Sequence, residues 1–449
     1  MDDLFSYIDQ HADRYLESLQ RLLRQPSVGA QNLGMVETAA MVEGMLASIG
    51  AEVRQVDTRG GFPVVYGELP GTASKTLSFY NHYDVQPADP LDLWESDPWA
   101  AKIRDGRIWA RGVADNKGNI AARLAAVDAY RRVRGEMPLT VKFIIEGEEE
   151  IGSPHLEHFA DDHPDLCASD GCIWEFGGVD LDGRPLVHLG LKGICYVELR
   201  ATGAKGDQHS SIATTTPNPA WRLVWALASL KGADERVLIP GFYDKVVPPT
   251  DEEMSMLEKM PNLEQQRLEH LGIDRFLLGL TGIALLKRDY FEPTCTISGL
   301  LSGYTGEGSK TVLPSRAMAK VDMRLVPDQE PHEIFALLLQ HLENLGFNDI
   351  EMTLLGPERP GRTPPSAPIA QVVVDTYRDL HGQEPVVVPT SAGSGPWYEL
   401  CTRFQVDGCT AGVGHARSQA HAPNENIYVS DFIRGIKHIC MIMERFAKA

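Results

Sequence analysis

Apolar residues recur at helical spacing in the N-terminal part of the chain. They are Leu4, Phe5, Ile8, Tyr15, Leu19, Leu22 and Leu23 in a first stretch, and Val36, Ala39, Ala40, Val42, Met45, Leu46 and Ile49 in a second. A spacing of three to four residues brings side chains to one face of an α-helix. The pattern therefore predicts an amphipathic helix at the start of the chain and a second helix after it.

The next part of the chain alternates short β-rich runs with a helical stretch. The runs cover residues 63–66, 77–80 and 139–145, and an alanine-rich stretch from Asn119 to Val133 separates the last two. Strands that alternate with helices are typical of a parallel α/β sheet. We therefore expect an α/β domain here.

A different pattern begins near Lys192. Strands are predicted at residues 194–202, 294–298, 317–326 and 350–354, and helices at 219–230 and 331–345. This β-α-β-β-α-β order is typical of a small two-layer α+β sandwich, here interrupted by a polar helical insertion near residues 251–287. The proline- and glycine-rich segment 356–368 indicates the exit from this domain.

Beyond Ile369 the chain returns to alternating helix and strand. The sequence thus predicts an α/β domain in two parts, residues 1–192 and 366–449, with a second domain of residues 193–365 inserted between them. A chain of 449 residues is also long for a single core, which favours two domains.

Composition and charge disfavour several classes of function. The formal net charge of −20 opposes binding to phosphate backbones, so no nucleic-acid partner is expected. No run of about 18 apolar residues occurs, and the acidic, amphipathic start does not resemble a secretory signal, so no membrane partner is expected. The seven cysteines form no CxxC pair, and their odd number disfavours a disulfide framework. These features are typical of a cytoplasmic protein.

Five segments present metal-binding side chains at the end of an apolar run or in a turn. His82 follows the run at 77–80, and Asp84 two residues later could orient its imidazole. A histidine at a strand end can equally be a hydrogen-bonded structural residue. Asp115 lies in a glycine-flanked loop that enters a helix, where an N-cap is the alternative role.

The other three segments lie further along the chain. Glu148, Glu149 and Glu150 follow a predicted buried strand, where they would repel one another unless a cation lay among them. A solvated run of charges is the alternative. Asp170 closes a short apolar run, and His421 lies in a polar loop near the C-terminus.

We expect these side chains to converge, because open parallel sheets bind ligands outside the carboxyl ends of their strands. Two histidines and three carboxylates suit two divalent ions that share one bridging carboxylate. Zinc is the expected ion, with manganese or cobalt as alternatives. Such a pair holds a nucleophilic hydroxide and polarises a carbonyl, and a glutamate outside the ligand set can act as general base.

Four segments together resemble the metallopeptidase-H family, whose members include carnosinases, cytosolic non-specific dipeptidases, glutamate carboxypeptidases and the deacylases of acetylornithine and succinyl-diaminopimelate. The segments are YNHYDVQP at residues 80–87, residues 94–98, RGVADNKG at 111–118 and EGEEEIGS at 146–153. They occur in the family's order, and the resemblance covers essentially the whole chain. It is closest to the carnosinase and non-specific dipeptidase branch.

The resemblance implies a ligand set and a fold. One ion would be held by His82 and Asp170, and the other by Glu150 and His421, with Asp115 bridging the two. The fold would be a zinc-peptidase-like α/β catalytic domain, and the inserted domain would act as a lid and as the contact of a homodimer.

The resemblance also implies how the ligands are supported. Glu149 would be the general base, Asp84 would orient His82, and a cis peptide would follow Asp115. His415 is a rival for the last ligand. His421 is preferred because His-x-x-Asn-Glu is the family's form.

Four further residues match substrate-side positions of the family. His209 matches a histidine that the family's dimers supply to the partner's active site, and Arg324 matches an arginine that grips the substrate carboxylate through its fork of donors. Thr311 and Ser394 stand where the dipeptidase branch contacts its substrate. The segment around Ser394 departs from the usual glycine-rich form.

The expected activity is hydrolysis of the amide bond of a dipeptide or small peptide. A deacylase acting on N-acyl amino acids is the alternative within the same chemistry, since metal ligands do not reveal whether a free amino terminus is required. A catalytically inactive scaffold is a third possibility, which the complete ligand set and the intact Glu149 disfavour.

Overall fold

The computed structural model describes all 449 residues. Its fourteen α-helices are α1 Asp2–Gln10, α2 Ala12–Leu23, α3 Met35–Ser48, α4 Lys117–Arg134, α5 Leu156–Asp162, α6 Pro164–Cys167, α7 Pro219–Ala228, α8 Asp251–Glu258, α9 Glu264–Leu271, α10 Gly282–Phe291, α11 Pro331–Asn344, α12 Pro368–His381, α13 Trp397–Leu400 and α14 Val429–Phe446. No helix combines the length and the apolar composition needed to cross a membrane.

The strands are β1 Glu52–Val56, β2 Val64–Leu69, β3 Thr76–His82, β4 Lys102–Arg104, β5 Arg107–Trp109, β6 Thr140–Glu146, β7 Gly171–Trp174, β8 Gly178–Val179, β9 Pro185–His188, β10 Gly190–Leu191, β11 Gly193–Thr202, β12 Gln208–His209, β13 Thr296–Ser302, β14 Val312–Leu313, β15 Arg316–Leu325, β16 Glu351–Glu358, β17 Gly361–Arg362, β18 Val386–Val388, β19 Gly408–Thr410, β20 Gly414–His415 and β21 Asn426–Tyr428.

The chain forms two compact units. The first comprises Met1–Gly190, Arg362–Thr390 and Pro396–Ala449, and the second comprises Leu191–Gly361 and Ser391–Gly395. The predicted division assigned all of residues 366–449 to the first domain. In the structure the short segment Ser391–Gly395 belongs to the second unit instead. Backbone hydrogen bonds hold this segment in the second unit, because Lys192 N–H donates to the carbonyls of Ser391 and Gly393.

The main sheet of the first unit has the strand order β1-β2-β6-β3-β7-β19. Strands β6, β3, β7 and β19 are parallel, as the alternation of strands and helices predicts. Strand β2 instead pairs antiparallel with β6. Only residues 70–75 connect β2 to β3, which is too short for the crossover that a parallel connection needs.

The helices of the first unit bury the predicted apolar stripes. The buried positions of α1 and α2 are Leu4, Ile8, Tyr15, Leu19, Leu22 and Leu23, and the two helices meet at His11. Helix α4 begins directly after Asn116 and is buried along most of its length. Because α4 starts at the predicted Asp115 loop, this loop is attached to the core of the unit.

The second unit contains a four-stranded antiparallel sheet in the order β13-β15-β11-β16. Helices α7 and α11 pack on it through a core that includes Leu199, Leu223, Val321 and Leu338. Helix α7 begins at Pro219 after an Asn218 cap, whose side chain accepts from the N–H of Ala220. The predicted β-α-β-β-α-β sandwich is confirmed, and α8, α9 and α10 form the helical insertion.

Candidate metal centre

His82 is the last residue of β3, and its side chain is fully buried. Its Nδ1 lies 3.0 Å from the carbonyl oxygen of Asp84. Because a carbonyl only accepts, Nδ1 carries the proton, and Nε2 is left to face other groups. Two carboxylate oxygens meet it there, Asp115 Oδ1 at 3.0 Å and Glu175 Oε2 at 3.0 Å.

A second group forms around the other oxygen of Asp115. Nε2 of His421 lies 3.1 Å from Asp115 Oδ2 and 3.0 Å from Glu150 Oε2. Asp115 therefore contributes one oxygen to each of two three-residue groups, which is the arrangement expected of a bridging carboxylate.

The two groups fit divalent cations. Ligand atoms bound to one zinc ion at about 2.0–2.2 Å lie about 3.3–3.6 Å apart in a tetrahedral site. The nitrogen–oxygen distances of 3.0 and 3.1 Å are slightly shorter than this, so a shift of a few tenths of an ångström would admit an ion. A further observation points the same way, because Glu150 Oε1 is buried and accepts no hydrogen bond.

The site carries more negative charge than its histidines can balance. Burial, followed by the charge of Glu175, raises the pKa of Glu149 well above its usual value. Burial alone would lower the pKa of His82, but the neighbouring carboxylates, Glu175 foremost, raise it well above normal. Hydrogen bonds to Asp115 and then Glu150 raise the pKa of His421 to about 10. Bound cations would replace these protons and relieve the same repulsion.

Glu149 lies beside both groups but belongs to neither. Its Oε2 is 4.0 Å from His82 Nε2. Its backbone N–H donates to Asp84 Oδ1 at 3.2 Å, and the N–H of Glu150 donates to Asp84 Oδ2 at 3.0 Å. Asp84 thus supports both the imidazole of His82 and the turn that carries the two glutamates.

The prediction that Asp170 is a ligand is wrong. Asp170 precedes β7, and its Oδ2 accepts from the N–H of Thr76, the first residue of β3, at 2.7 Å. His82 ends β3 six residues later, roughly 20 Å away at about 3.3 Å per residue. Because β7 runs parallel to β3, Asp170 lies at the opposite edge of the sheet from His82.

Glu175 takes the position expected of Asp170, and the sequence prediction missed it. Glu175 directly follows β7, so it lies at the same edge of the sheet as His82. The sequence contained a pattern that could have indicated Glu175. Glu175 follows the apolar run Cys172-Ile-Trp174, just as His82 comes after the apolar run at residues 77–80.

Other predicted features near the site have clear positions. The peptide bond Asp115–Asn116 is cis, as the resemblance implies. His415 lies outside both groups, because its Nε2 is 3.2 Å from Asn426 Oδ1 and its Nδ1 accepts from the N–H of Arg417. The amide of Gln86 donates to Glu150 Oε2 at 2.9 Å, a contact that no motif indicates.

The predicted substrate residues belong to the second unit and form two pairs. His209 and Thr311 are exposed. His209 is the last residue of β12 and Thr311 precedes β14, and Ser210 N–H donates to the carbonyl of Thr311 at 3.1 Å. Nδ1 of His209 accepts from the N–H of Ser211 at 3.2 Å, which leaves Nε2–H as a free donor. Arg324 donates to Ser394 Oγ at 2.8 Å and lies 3.3 Å from Asp322.

Comparison with known proteins shows similarity to peptidases. The family model described as peptidase family M20/M25/M40 matches residues 78–445. The chain is 31% identical over 370 residues to a Beta-Ala-His dipeptidase of Rattus norvegicus, covering 76% of this chain and 73% of the relative. It is 26% identical over 483 residues to a Cys-Gly metallodipeptidase of Schizosaccharomyces pombe, covering 100% of this chain and 98% of the relative.

The fold is similar to that of a solved structure from Sulfolobus solfataricus, an M20 family metallo-carboxypeptidase. The TM-score is 0.92 at 38% identity, with 97% of this chain and 99% of that chain covered.

Proposed function

Since this chain belongs to peptidase family M20/M25/M40, we propose that it is a dipeptidase that works with two divalent metal ions. The observation that carries the proposal is the shared carboxylate of Asp115, which has His82 and Glu175 at one oxygen and Glu150 and His421 at the other. Zinc suits this nitrogen and oxygen donor set, and manganese or cobalt would also fit.

When bound, the two ions would polarise the scissile carbonyl and lower the pKa of a water molecule. Glu149 would take the proton of the attacking water at its carboxylate and deliver it to the leaving amine. Its position beside His82 and outside both ligand groups supports this role, because a carboxylate that binds no metal is free to hold the proton between the two steps. Asp84 would keep Nε2 of His82 available by accepting from Nδ1.

The names of the relatives support a dipeptide as the substrate, since two of them are dipeptidases. Arg324 would bind the substrate carboxylate, and Ser394, which already accepts from its guanidinium, would fix its orientation. A carboxypeptidase is a second candidate, favoured by the solved structure at 38% identity. Both activities cleave before a residue with a free carboxylate, so Arg324 would serve either.

The test is a substrate panel with the purified, metal-reconstituted enzyme. It should contain β-Ala-His and Cys-Gly, the same dipeptides with blocked amino termini, longer peptides, and N-acetyl amino acids. A dipeptidase cleaves the free dipeptides alone. Turnover of blocked or longer peptides would favour a carboxypeptidase, and turnover of N-acetyl amino acids alone would favour a deacylase. Glu149→Gln is the control for contaminating peptidases.

A homodimer formed through the second unit is also part of the proposal. Strand β13 is an edge strand with exposed Ile297, Leu300 and Leu301. On α7, Trp221 and Trp225 stack at 5.9 Å and are each 57% exposed. Exposed edges and large aromatic side chains are features of protein interfaces. A second copy of the chain would cover both.

A further inference from the structure

A separate cavity of about 540 Å³ lies among α2, α3 and α4 of the first unit, and no residue of the metal centre lines it. Its floor is apolar and includes Met45, Ile49 and Leu124, which are largely buried. Cavities of about 300–1,000 Å³ with an apolar floor and a few polar groups are typical of small-molecule sites.

Arginines dominate the polar lining of this cavity. Arg14, Arg21, Arg24 and Arg132 line it, against only two acidic residues, Glu17 and Asp128. The local charge is therefore positive although the whole chain carries a net charge of −20. A positive concave surface in an acidic protein concentrates anions.

The acidic residues of the cavity do not neutralise all of these arginines. Asp128 is already engaged, because it accepts from Arg14, from Arg132 at 2.8 Å and from the hydroxyl of Tyr15 at 2.9 Å. The guanidinium groups of Arg21 and Arg24 have no ion pair or hydrogen bond in the structure.

Some other arginines of the same unit differ in this respect. Arg59 is paired with Asp162, and Arg134 with Asp3. Glu17 lies one helical turn before Arg21 but forms no ion pair with it. Two exposed, unpaired guanidiniums at one cavity are thus available for a ligand.

We propose that this cavity binds a small organic dianion, a phosphate monoester or a dicarboxylate with an apolar portion. Arg21 and Arg24 would bind the charged group, since the planar fork of arginine matches phosphate and carboxylate oxygens. The apolar portion would lie on the floor between α3 and α4. The site is independent of the proposed peptidase reaction.

Isothermal titration of the metal-loaded enzyme tests the proposal with three probes: phenyl phosphate, phthalate and inorganic phosphate. We expect saturable binding of phenyl phosphate, phthalate or both, tighter than that of inorganic phosphate because the ring covers apolar surface. Which of the two organic probes binds identifies the class of dianion.

Arg21→Gln/Arg24→Gln should weaken this binding at least about tenfold, because two charge-assisted contacts are lost. Arg54→Gln/Arg275→Gln removes the same charge from residues that do not line the cavity, and it should bind like the wild type. Unchanged dipeptide turnover and thermal melting of both variants would establish that they fold. Equal binding by the two double variants, or no saturable binding below about 10 mM, would overturn the proposal.

Discussion

The buried carboxylate of Glu425 accepts a hydrogen bond from the backbone N–H of Asp115, with an N···O distance of 3.0 Å. The same carboxylate accepts from the N–H groups of Gly112 and Ala114 and from the guanidinium of Arg111, each at 2.8 Å. Since Glu425 lies in the same loop as His421, one side chain joins the loops that carry two of the proposed ligands.

Glu425→Gln should therefore weaken metal binding. An amide replaces one acceptor oxygen by a donor, which would face backbone N–H groups or Arg111, and each buried group left unsatisfied costs about 1–3 kcal/mol. The measurement is the metal content retained against a competing chelator. Glu157→Gln, an exposed carboxylate on α5, is the matched control. Metal retention equal to that of the control would contradict this positioning role.

A second prediction separates the two acidic residues that flank β7. Glu175→Gln should lose metal and at least about 10²-fold in turnover, because its carboxylate lies 3.0 Å from His82 Nε2. Asp170→Asn should keep its metal and its turnover, since Asp170 only pairs with the backbone of Thr76. Metal analysis and dipeptide turnover of the two variants check this. Metal loss in Asp170→Asn with metal retention in Glu175→Gln would show that Asp170, and not Glu175, is the ligand.

The error at β7 shows what sequence patterns leave open. The rule that ligands follow the carboxyl ends of strands indicated His82 and the Glu148–Glu150 run, and the structure brings His82 and Glu150 into the two candidate groups. Asp170 also closes a short apolar run, Leu166-Cys-Ala, but that run lies at the end of the helical turn α6, and the strand begins only at Gly171. A short apolar run has the same composition in either structure, so only the sheet register decides.

The fold was predictable where the patterns were long. Ten paired residues join β11 to β15, and their alternation from Ile194 to Thr202 is visible in the sequence. The antiparallel direction of β2 and the place of Ser391–Gly395 in the second unit depend instead on contacts that are distant in sequence. The local periodicity of the sequence reveals neither the direction of β2 nor the unit to which Ser391–Gly395 belongs.

Glu149 and Glu150 should respond differently to the same change. Glu149→Gln should keep its metal and lose about 10²–10⁴-fold in turnover, the usual contribution of a general base. Glu150→Gln should lose metal, because its Oε2 is 3.0 Å from His421 Nε2 and its Oε1 has no other partner. Metal loss in Glu149→Gln with retention in Glu150→Gln would exchange the two roles.

The metal-free protein should show a pH-dependent contribution from His421. Its pKa in the folded state is about 10, raised by Asp115 and then Glu150, against about 6.5 when unfolded. The protonated imidazole therefore stabilises the fold fully below about pH 6.5, and this contribution is lost as the pH rises towards 10.

The measurement is the free energy of unfolding of chelated wild type and His421→Gln across this range. The variant should be less stable at about pH 6, and the difference should shrink towards pH 10. Burial lowers the pKa of Lys117 to about 7, which has the opposite pH dependence, but Lys117 is present in both proteins and cancels. A difference that stays constant with pH would contradict the assignment.

The last prediction concerns the proposed dimer. His209 belongs to the second unit, is exposed, and keeps a free Nε2–H because Nδ1 accepts from Ser211. Such a donor can stabilise the oxyanion that develops during amide hydrolysis. If a neighbouring chain supplies it, a symmetric dimer contains two composite sites, each with Glu149 from one chain and His209 from the other.

Mixing His209→Ala chains with Glu149→Gln chains tests this arrangement, because each variant alone should be nearly inactive. A heterodimer would then hold one site with both defects and one site with neither. Statistical exchange should restore up to roughly a quarter of wild-type activity. The control mixes His209→Ala with a chain that carries both substitutions, in which no intact site can form. If subunit exchange is demonstrated and the first mixture stays as inactive as the control, His209 does not act across the interface.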